Sequence, residues 1–423
     1  LHLCDRRQRQ MCIRDRALIV TRVSGFLPQF EANNVKILQE MGFEVHYAAN
    51  FNTVVYGKDN HRLDGMGLIC HQIDFERSPF SNGVRKAYHQ LKELMEQEAF
   101  DLIHCHMPMS GVVTRMAAQA VRKKSGRKVP VLYTAHGLHF YEGAPLKNWI
   151  YYPVERYLSR FTDRLILINE EDYQRAQKFP VRGSVERIMG IGMRLEKFRS
   201  WCKTDYSLGK SEAKRDIYEK YGIPDNYGIL ISVGEITQRK NHIVMIDAMK
   251  ELLDLPLVYI ICGSGPEEDK LKAYVHELGL ESRVKFAGYV EQVPAMLCQA
   301  DCFVFPSFQE GLPVAVMEAM AVGLPVIATR IRGITDLLEH TKGGYLADDW
   351  EPESYGVKVR RMFSERGGKS GISRQQRRQE MGQWNRQRVQ KFALPVVEDK
   401  MRRIYQSVME EINENVTDTH VNL

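Results

Sequence analysis

With 423 residues, 44% hydrophobic and 26% charged, the chain is long enough for two domains or more and has the composition of an ordinary globular enzyme. The formal net charge is +6, and the first sixteen residues, LHLCDRRQRQMCIRDR, supply half of it with five Arg against two Asp, so bulk charge argues against a nucleic-acid partner. No apolar run approaches the roughly 20 residues of a membrane span, and no signal peptide is recognised. None of the eight cysteines falls in a CxxC or zinc spacing. A reduced, cytoplasmic protein is expected, with Cys298 and Cys302 as core thiols.

Residues 1–16 lack an apolar period and precede a clean strand, RALIV, so they read as a leader outside the fold. Thereafter short apolar runs alternate with segments of helical length. Strands are expected at Ala17–Val20, Phe43–Ala49, Asp101–His106, Val129–Gly137, Arg164–Asn169 and Ser184–Gly192, with a long helix around Val84–Glu98. A polar stretch, Lys197–Asn226, reads as linker and hinge. The alternation then resumes with Gly228–Gly234, Leu257–Gly265, Val284–Val290, Cys302–Ser307 and Pro325–Thr329. This pattern predicts an α/β protein of two Rossmann-like, doubly wound parallel-sheet domains with a cleft between them, at 17–200 and 201–390. The Arg- and Gln-rich run Ser364–Gln390 reads as solvated loop and helix. An amphipathic helix, Leu394–Glu414, is expected to pack back on the N-terminal domain as part of a segment 391–423.

In open parallel sheets ligands bind beyond the carboxyl ends of the strands, and the informative motifs all fall there. VGEITQRKN places Arg239 and Lys240 at a loop mouth before a helix, a fork donor and a point charge suited to a diphosphate. ICGSGPEED offers Gly263 and Gly265 for close backbone approach. It is not GxGxxG, so a nicotinamide dehydrogenase is disfavoured. PSFQEGLPVAVMEAM ends a strand, turns, puts Pro313 at the first helical position and opens a buried helix whose free amides favour an anion. Two carboxylates in so apolar a stretch, Glu310 and Glu318, need a partner or a ligand. The alternative to ligand binding is that Glu310 caps the helix while Glu318 makes a buried ion pair. In the first half, YTAHGLHFYEGAP presents His136 and His139 beside Glu142, DLIHCH ends with His104 and His106, and Gly25 follows the first strand.

These motifs together resemble the retaining glycosyltransferases of family 4, of the two-Rossmann-domain GT-B type, over roughly Ala17 to Phe363. EGLPVAVME matches the E-x7-E signature, GEITQRKN the Arg-Lys phosphate clamp and TAHG the first-domain histidine. TAHGLHFYEGAP with ILINEEDY resembles bacterial enzymes that build capsule, exopolysaccharide or lipid-linked glycans. One departure is Ser24-Gly25, where family members often carry paired glycines.

The resemblance implies transfer of a hexose or N-acetylhexosamine, with retention, from a nucleotide sugar, UDP-linked by expectation, to a glycan or lipid-diphosphate-linked acceptor. His136, Glu310, Arg239 and Lys240 become the catalytic candidates. Gly25, Gly234, Gly263, Gly265, Gly311, Leu312, Val314 and Glu318 become those for the donor nucleotide, Glu318 on the ribose and Glu310 on the sugar. No metal or other cofactor is expected, and the chain has no Asp-x-Asp pair. Peripheral contact with the inner membrane surface is expected through Arg122, Lys123, Lys124, Arg127 and Lys128 or through LKNWIYYPVERYL. A sugar-nucleotide epimerase of the same fold and a catalytically silent nucleotide-sugar-binding protein are the alternatives.

Overall fold

The structure, a computed structural model, describes residues 15–78, 81–199, 212–364 and 373–421. The chain folds as two units, one of Leu1–Gly192 with Pro395–Leu423 and a second of Met193–Leu394. Leader residues 1–14, Cys4, Cys12 and Cys202, and positions 200–211 of the predicted linker lie outside the described residues. The rest of that linker is not extended chain, since Glu212–Tyr221 is helical. Ile217 and Tyr218 in this helix are buried, and the Tyr218 hydroxyl donates to the Tyr227 carbonyl at 2.7 Å.

The first unit is a seven-stranded sheet in the order β3-β2-β1-β4-β5-β6-β7, every pair parallel. Its strands are β1 (Arg16–Val23), β2 (Glu44–Asn50), β3 (Leu68–Gln72), β4 (Leu102–His106), β5 (Val131–Ala135), β6 (Arg164–Leu167) and β7 (Ser184–Arg187). β4, β5 and β6 are buried at every position, as strands covered on both faces by helices must be. The terminal helix Leu394–Val421 packs on this unit almost from its start. Tyr405 is fully buried against His104, Lys400 pairs with Glu186 at 2.7 Å, and Arg402 reaches Glu40.

The second unit is a six-stranded parallel sheet in the order β10-β9-β8-β11-β12-β13. The strands are β8 (Gly228–Val233), β9 (Leu257–Cys262), β10 (Val284–Gly288), β11 (Cys302–Phe305), β12 (Val326–Thr329) and β13 (Gly344–Ala347). Counted within the unit this is the 3-2-1-4-5-6 order of a dinucleotide-binding half-pair, whose switch point lies between β8 and β11. The corresponding point in the first unit lies between β1 and β4. Loops leaving these four strands therefore hold the candidate sites.

Two expectations change. Of the Arg-rich run, residues 365–372 lie outside the described residues, but Arg374–Arg388 is a packed helix rather than a solvated one. Its Asn385 is buried and donates to the carbonyls of Leu324 and Gly343, and Arg386 and Arg388 donate to those of Val322 and Asp336. Among the predicted core thiols, Cys302 is a buried free cysteine, whereas Cys298 is disulfide-bonded.

Candidate functional site

In the second unit the loops after β8 and β11 are joined by backbone and side chain. The Phe308 amide donates to the Arg239 carbonyl at 2.9 Å, and Arg239 Nη1 donates to the Gln309 carbonyl at 2.9 Å. Glu310 receives both cations on one oxygen: Arg239 Nη1 at 2.6 Å and Lys240 Nζ at 2.8 Å from Oε1. Lys240 also sits over the Phe305 ring at 4.4 Å. Burial lowers the Lys240 pKa, and the Glu310 carboxylate acts in the opposite direction. Arg332, which sequence reasoning missed, fixes the turn by donating from Nε to the Glu310 carbonyl at 3.1 Å.

The turn leads into the helix Val314–Val322, which ends on Gly323 in the left-handed region. Pro313 is not its first helical residue but its N-cap, extended at φ −75° and ψ 117°. Among the described residues no side chain caps the helix, so its first amides stay available to an anion. Within the turn Gly311 lays its carbonyl against Gly333, Leu312 is buried, and Val314 is exposed at the helix start.

Neither half of the alternative offered for the two glutamates is met. Glu310 makes the ion pair, and the partly buried Glu318 side chain has neither hydrogen bond nor ion pair among the described residues. Burial alone pushes the Glu318 carboxyl up to about 7.

The glycines at the strand ends have a local cause. A Cβ on Gly263, at φ +146°, would stand 1.9 Å from the Gly234 carbonyl oxygen, and one on Gly265 would stand 2.3 Å from that of Ile236. The β8 and β9 loops thus pack backbone on backbone. At the first strand–helix junction a Cβ on Gly25 would meet the Val55 carbonyl oxygen at 1.8 Å, so this position also packs closely on backbone.

In the first unit the ends of β4 and β5 and the helical turn Leu27–Glu31 after β1 bring together His106, His136 and Glu31. Glu31 Oε1 lies 3.2 Å from His136 Nε2 and 3.4 Å from His106 Nδ1, and Asn34 donates to Oε2 at 2.5 Å. His106 is fully buried, and burial with the neighbouring histidines lowers its pKa well below the ordinary value, so it is neutral. A carboxylate facing both rings favours the tautomers that donate to it. His136 is the partly exposed member, with the edge of Phe26 at 5.1 Å.

His104 supports this group: buried, with its pKa pushed down to about 3, it bonds Tyr405 and Thr134 at 2.8 Å each. His139 is exposed and stands against Tyr151 instead, with ring centres 4.9 Å apart. Glu31 was missed from sequence, although an acidic residue after the apolar run FLPQF was the available signal. Glu31, His106 and His136 also form a set able to ligate a divalent cation, their donor atoms lying within 4.8 Å of one another.

Comparisons with known proteins agree with this geometry. Residues 213–388 match the family model "Glycosyl transferases group 1", and residues 17–169 match "Glycosyl transferase 4-like". The chain is 32% identical to the putative glycosyltransferase EpsD of Bacillus subtilis, over 93% of this chain and 97% of that protein. It is 30% identical to an Escherichia coli UDP-Gal:alpha-D-GlcNAc-diphosphoundecaprenol alpha-1,3-galactosyltransferase, over 69% of this chain and 72% of that one. Among solved structures, Anabaena HepE in complex with UDP and glucose superposes with a TM-score of 0.71 at 18% identity, covering 93% of this chain and all of that one. The lipopolysaccharide glycosyltransferase WaaG gives 0.63 at 15% identity, covering 92% and 99%. These likenesses show the GT-B fold.

Proposed function

This chain belongs to the group 1 glycosyltransferases, and we propose that it is a retaining, metal-independent member moving a hexose or N-acetylhexosamine from a UDP-sugar to a glycan or lipid-diphosphate-linked acceptor in surface-polysaccharide synthesis. The observation that carries the reading is the cluster of Arg239, Lys240 and Glu310 beside an uncapped helix start at the second unit's switch point. Two buttressed cations and free helix amides suit a departing nucleoside diphosphate, whose charge develops as the sugar–oxygen bond breaks. The E. coli relative, named for UDP-Gal and a diphosphoundecaprenol acceptor, and the UDP-bound HepE structure support donor and acceptor classes.

In this mechanism the C1–oxygen bond of the donor breaks and its electron pair goes to the β-phosphate. Arg239, Lys240 and the amides from Val314 onward neutralise that charge. The acceptor hydroxyl attacks C1 from the face being vacated, and its proton passes to the leaving phosphate oxygen, which gives retention. Glu310 orients the cations and accepts from donor-sugar hydroxyls, Glu318 holds the ribose diol, and His136 contacts the sugar at the reaction centre. Glu31 and His106 act through His136 by fixing its ring and tautomer.

Incubating purified protein with UDP-, GDP- and ADP-sugars and a lipid-diphosphate acceptor tests this directly. UDP release that depends on acceptor, with the anomeric configuration kept and full activity after chelation, is the expected result. Failure to bind any nucleotide sugar removes the donor assignment. Isomerised donor without acceptor assigns an epimerase, and loss of activity on chelation reassigns Glu31, His106 and His136 as metal ligands.

Removing the carboxylate in Glu31→Ala is expected to lower kcat by about 10–100-fold with little change in donor KM, since a ring freed from its partner loses its orientation. An equal loss in KM would mean that Glu31 binds the donor itself.

A further inference from the structure

Among the described residues, one group brings three ligand-type side chains to a single point: Glu31, His106 and His136. Hydrogen bonds from the two rings to the carboxylate account for only part of its geometry. Glu31 Oε1 stands 3.2 Å from His136 Nε2 and 3.4 Å from His106 Nδ1, longer than the usual N–H···O distance of about 2.9–3.0 Å. The two ring nitrogens also lie 3.4 Å from each other. Two nitrogens that both donate to one oxygen gain nothing from that approach.

The triangle fits a metal ion better. Zinc holds nitrogen and oxygen ligands at about 2.0–2.1 Å, which sets the edge of a tetrahedron at about 3.3–3.4 Å. The three edges here, 3.2, 3.4 and 3.4 Å, lie at or beside that value. An ion just off the plane of the triangle reaches all three atoms without a change in their spacing.

The surroundings agree. Glu31 and His106 are buried, so the fold fixes two of the ligands. Asn34 donates to the second carboxylate oxygen of Glu31, as outer partners of ligating carboxylates do. The buried Phe26 ring closes one side, 5.1 Å from His136 and 6.1 Å from His106. His136 is the member open to solvent, which leaves an entry path and a fourth position. The donor set also selects its ion. Imidazole suits zinc, nickel and copper, whereas magnesium and calcium take oxygen ligands.

We propose that Glu31, His106 and His136 form an inhibitory site for a transition-metal ion of the zinc class. Loading it stops transfer by placing a doubly charged ion and its fourth ligand beside His136, where the donor sugar belongs. The ion is an off-switch and not a cofactor, in keeping with a metal-independent reaction. Its inhibition rests on the proposed place of His136 at the reaction centre; its binding does not.

The untagged full chain, stripped with a chelator and desalted, is titrated with divalent cobalt and zinc without any sugar nucleotide. Wild type is expected to bind one ion per chain, to show the intense visible bands of tetrahedral cobalt, and to melt higher with zinc than without. Magnesium is expected to do none of these. His136→Ala, at a partly exposed position, and Glu31→Gln are expected to lose the cobalt bands. Asn34→Ala is expected to weaken zinc binding by about 10–100-fold, the cost of loosening an outer partner. Unchanged circular dichroism of the metal-free variants separates lost ligation from lost fold. In transfer assays zinc is expected to inhibit, and excess chelator to restore the full rate. Wild type that binds no zinc, or variants that keep the cobalt bands, overturns the site and leaves the donor assignment standing. Zinc bound at full transfer rate overturns the inhibition, and activity that needs zinc makes the ion a cofactor and overturns the off-switch. A chain that binds zinc but releases UDP from no donor keeps the site and removes the donor assignment.

Discussion

Lys240→Ala is expected to reduce kcat/KM for transfer by about 10²–10³-fold, the loss typical when one fixed stabiliser of developing charge is removed. The reason lies in how Lys240 is held. It is partly buried, 2.8 Å from Glu310 Oε1 and over the Phe305 ring, so it contributes a charge whose position is set before the donor arrives. Burial lowers its pKa while Glu310 keeps the ammonium form favoured. A cation whose environment is partly dry acts on a leaving diphosphate far more strongly than one in water.

Arg239 is more open than Lys240 and makes two bonds to the same turn, one to the Gln309 carbonyl and one to Glu310. Its loss is expected to raise donor KM more than it lowers kcat. Glu310→Gln separates the two roles of that carboxylate. If Glu310 only orients the cations, kcat falls and the double variant K240A/E310Q is no worse than Lys240→Ala, because the pair acts as a unit. If it also grips the donor sugar, discrimination among donor sugars changes as well. Steady-state kinetics on the three variants with one donor and one acceptor decide the matter, and a Lys240→Ala enzyme with unimpaired kcat/KM would remove the clamp from the mechanism.

The sheets were legible because buried parallel strands read as short apolar runs, and β1, β4, β8, β9 and β11 all carry that signature. Two edge strands escaped. β3, LICHQ, has a half-exposed edge pattern with Ile69 open to solvent, and β13, GYLA, begins on glycine and contains no β-branched residue. The E-x7-E and QRKN motifs were legible as the second unit's candidate site, since a single strand–turn–helix step contains each of them. What spacing could not supply was pairing across the switch point: that Glu310 would take both cations and leave Glu318 alone depends on the loops after β8 and β11 meeting. The same limit hid Glu31, whose partners come from β4 and β5. At Gly25 and Gly263 spacing could not show the close backbone neighbours, the Val55 and Gly234 carbonyls, that a Cβ would meet.

Glu318→Gln is expected to make the ligand-free protein more stable at pH 8 by about 3 kcal/mol, while weakening UDP-sugar binding by about tenfold. The sign follows from the direction of the shift. Burial raises the carboxyl from 4.5 to about 7, so the folded state disfavours the charged form. The stability associated with the neutral acid is fully present below about pH 4.5, is lost as pH climbs through 7, and is absent above it. Glutamine is neutral throughout, so the variant's advantage opens across that window and then levels off. A carboxylate held at this cost without a partner among the described residues is explained by a ligand that supplies hydrogen-bond donors, as a ribose diol does. Donor binding then favours the ionised form and releases a proton when measured between about pH 6 and 7. Thermal melts of wild type and variant from pH 5 to 8, together with titration calorimetry in buffers of different ionisation enthalpy, read both effects. Equal stability of the two proteins at pH 8 and no proton release on binding would show that Glu318 is already ionised and satisfied within the fold, and would take it out of the nucleotide site.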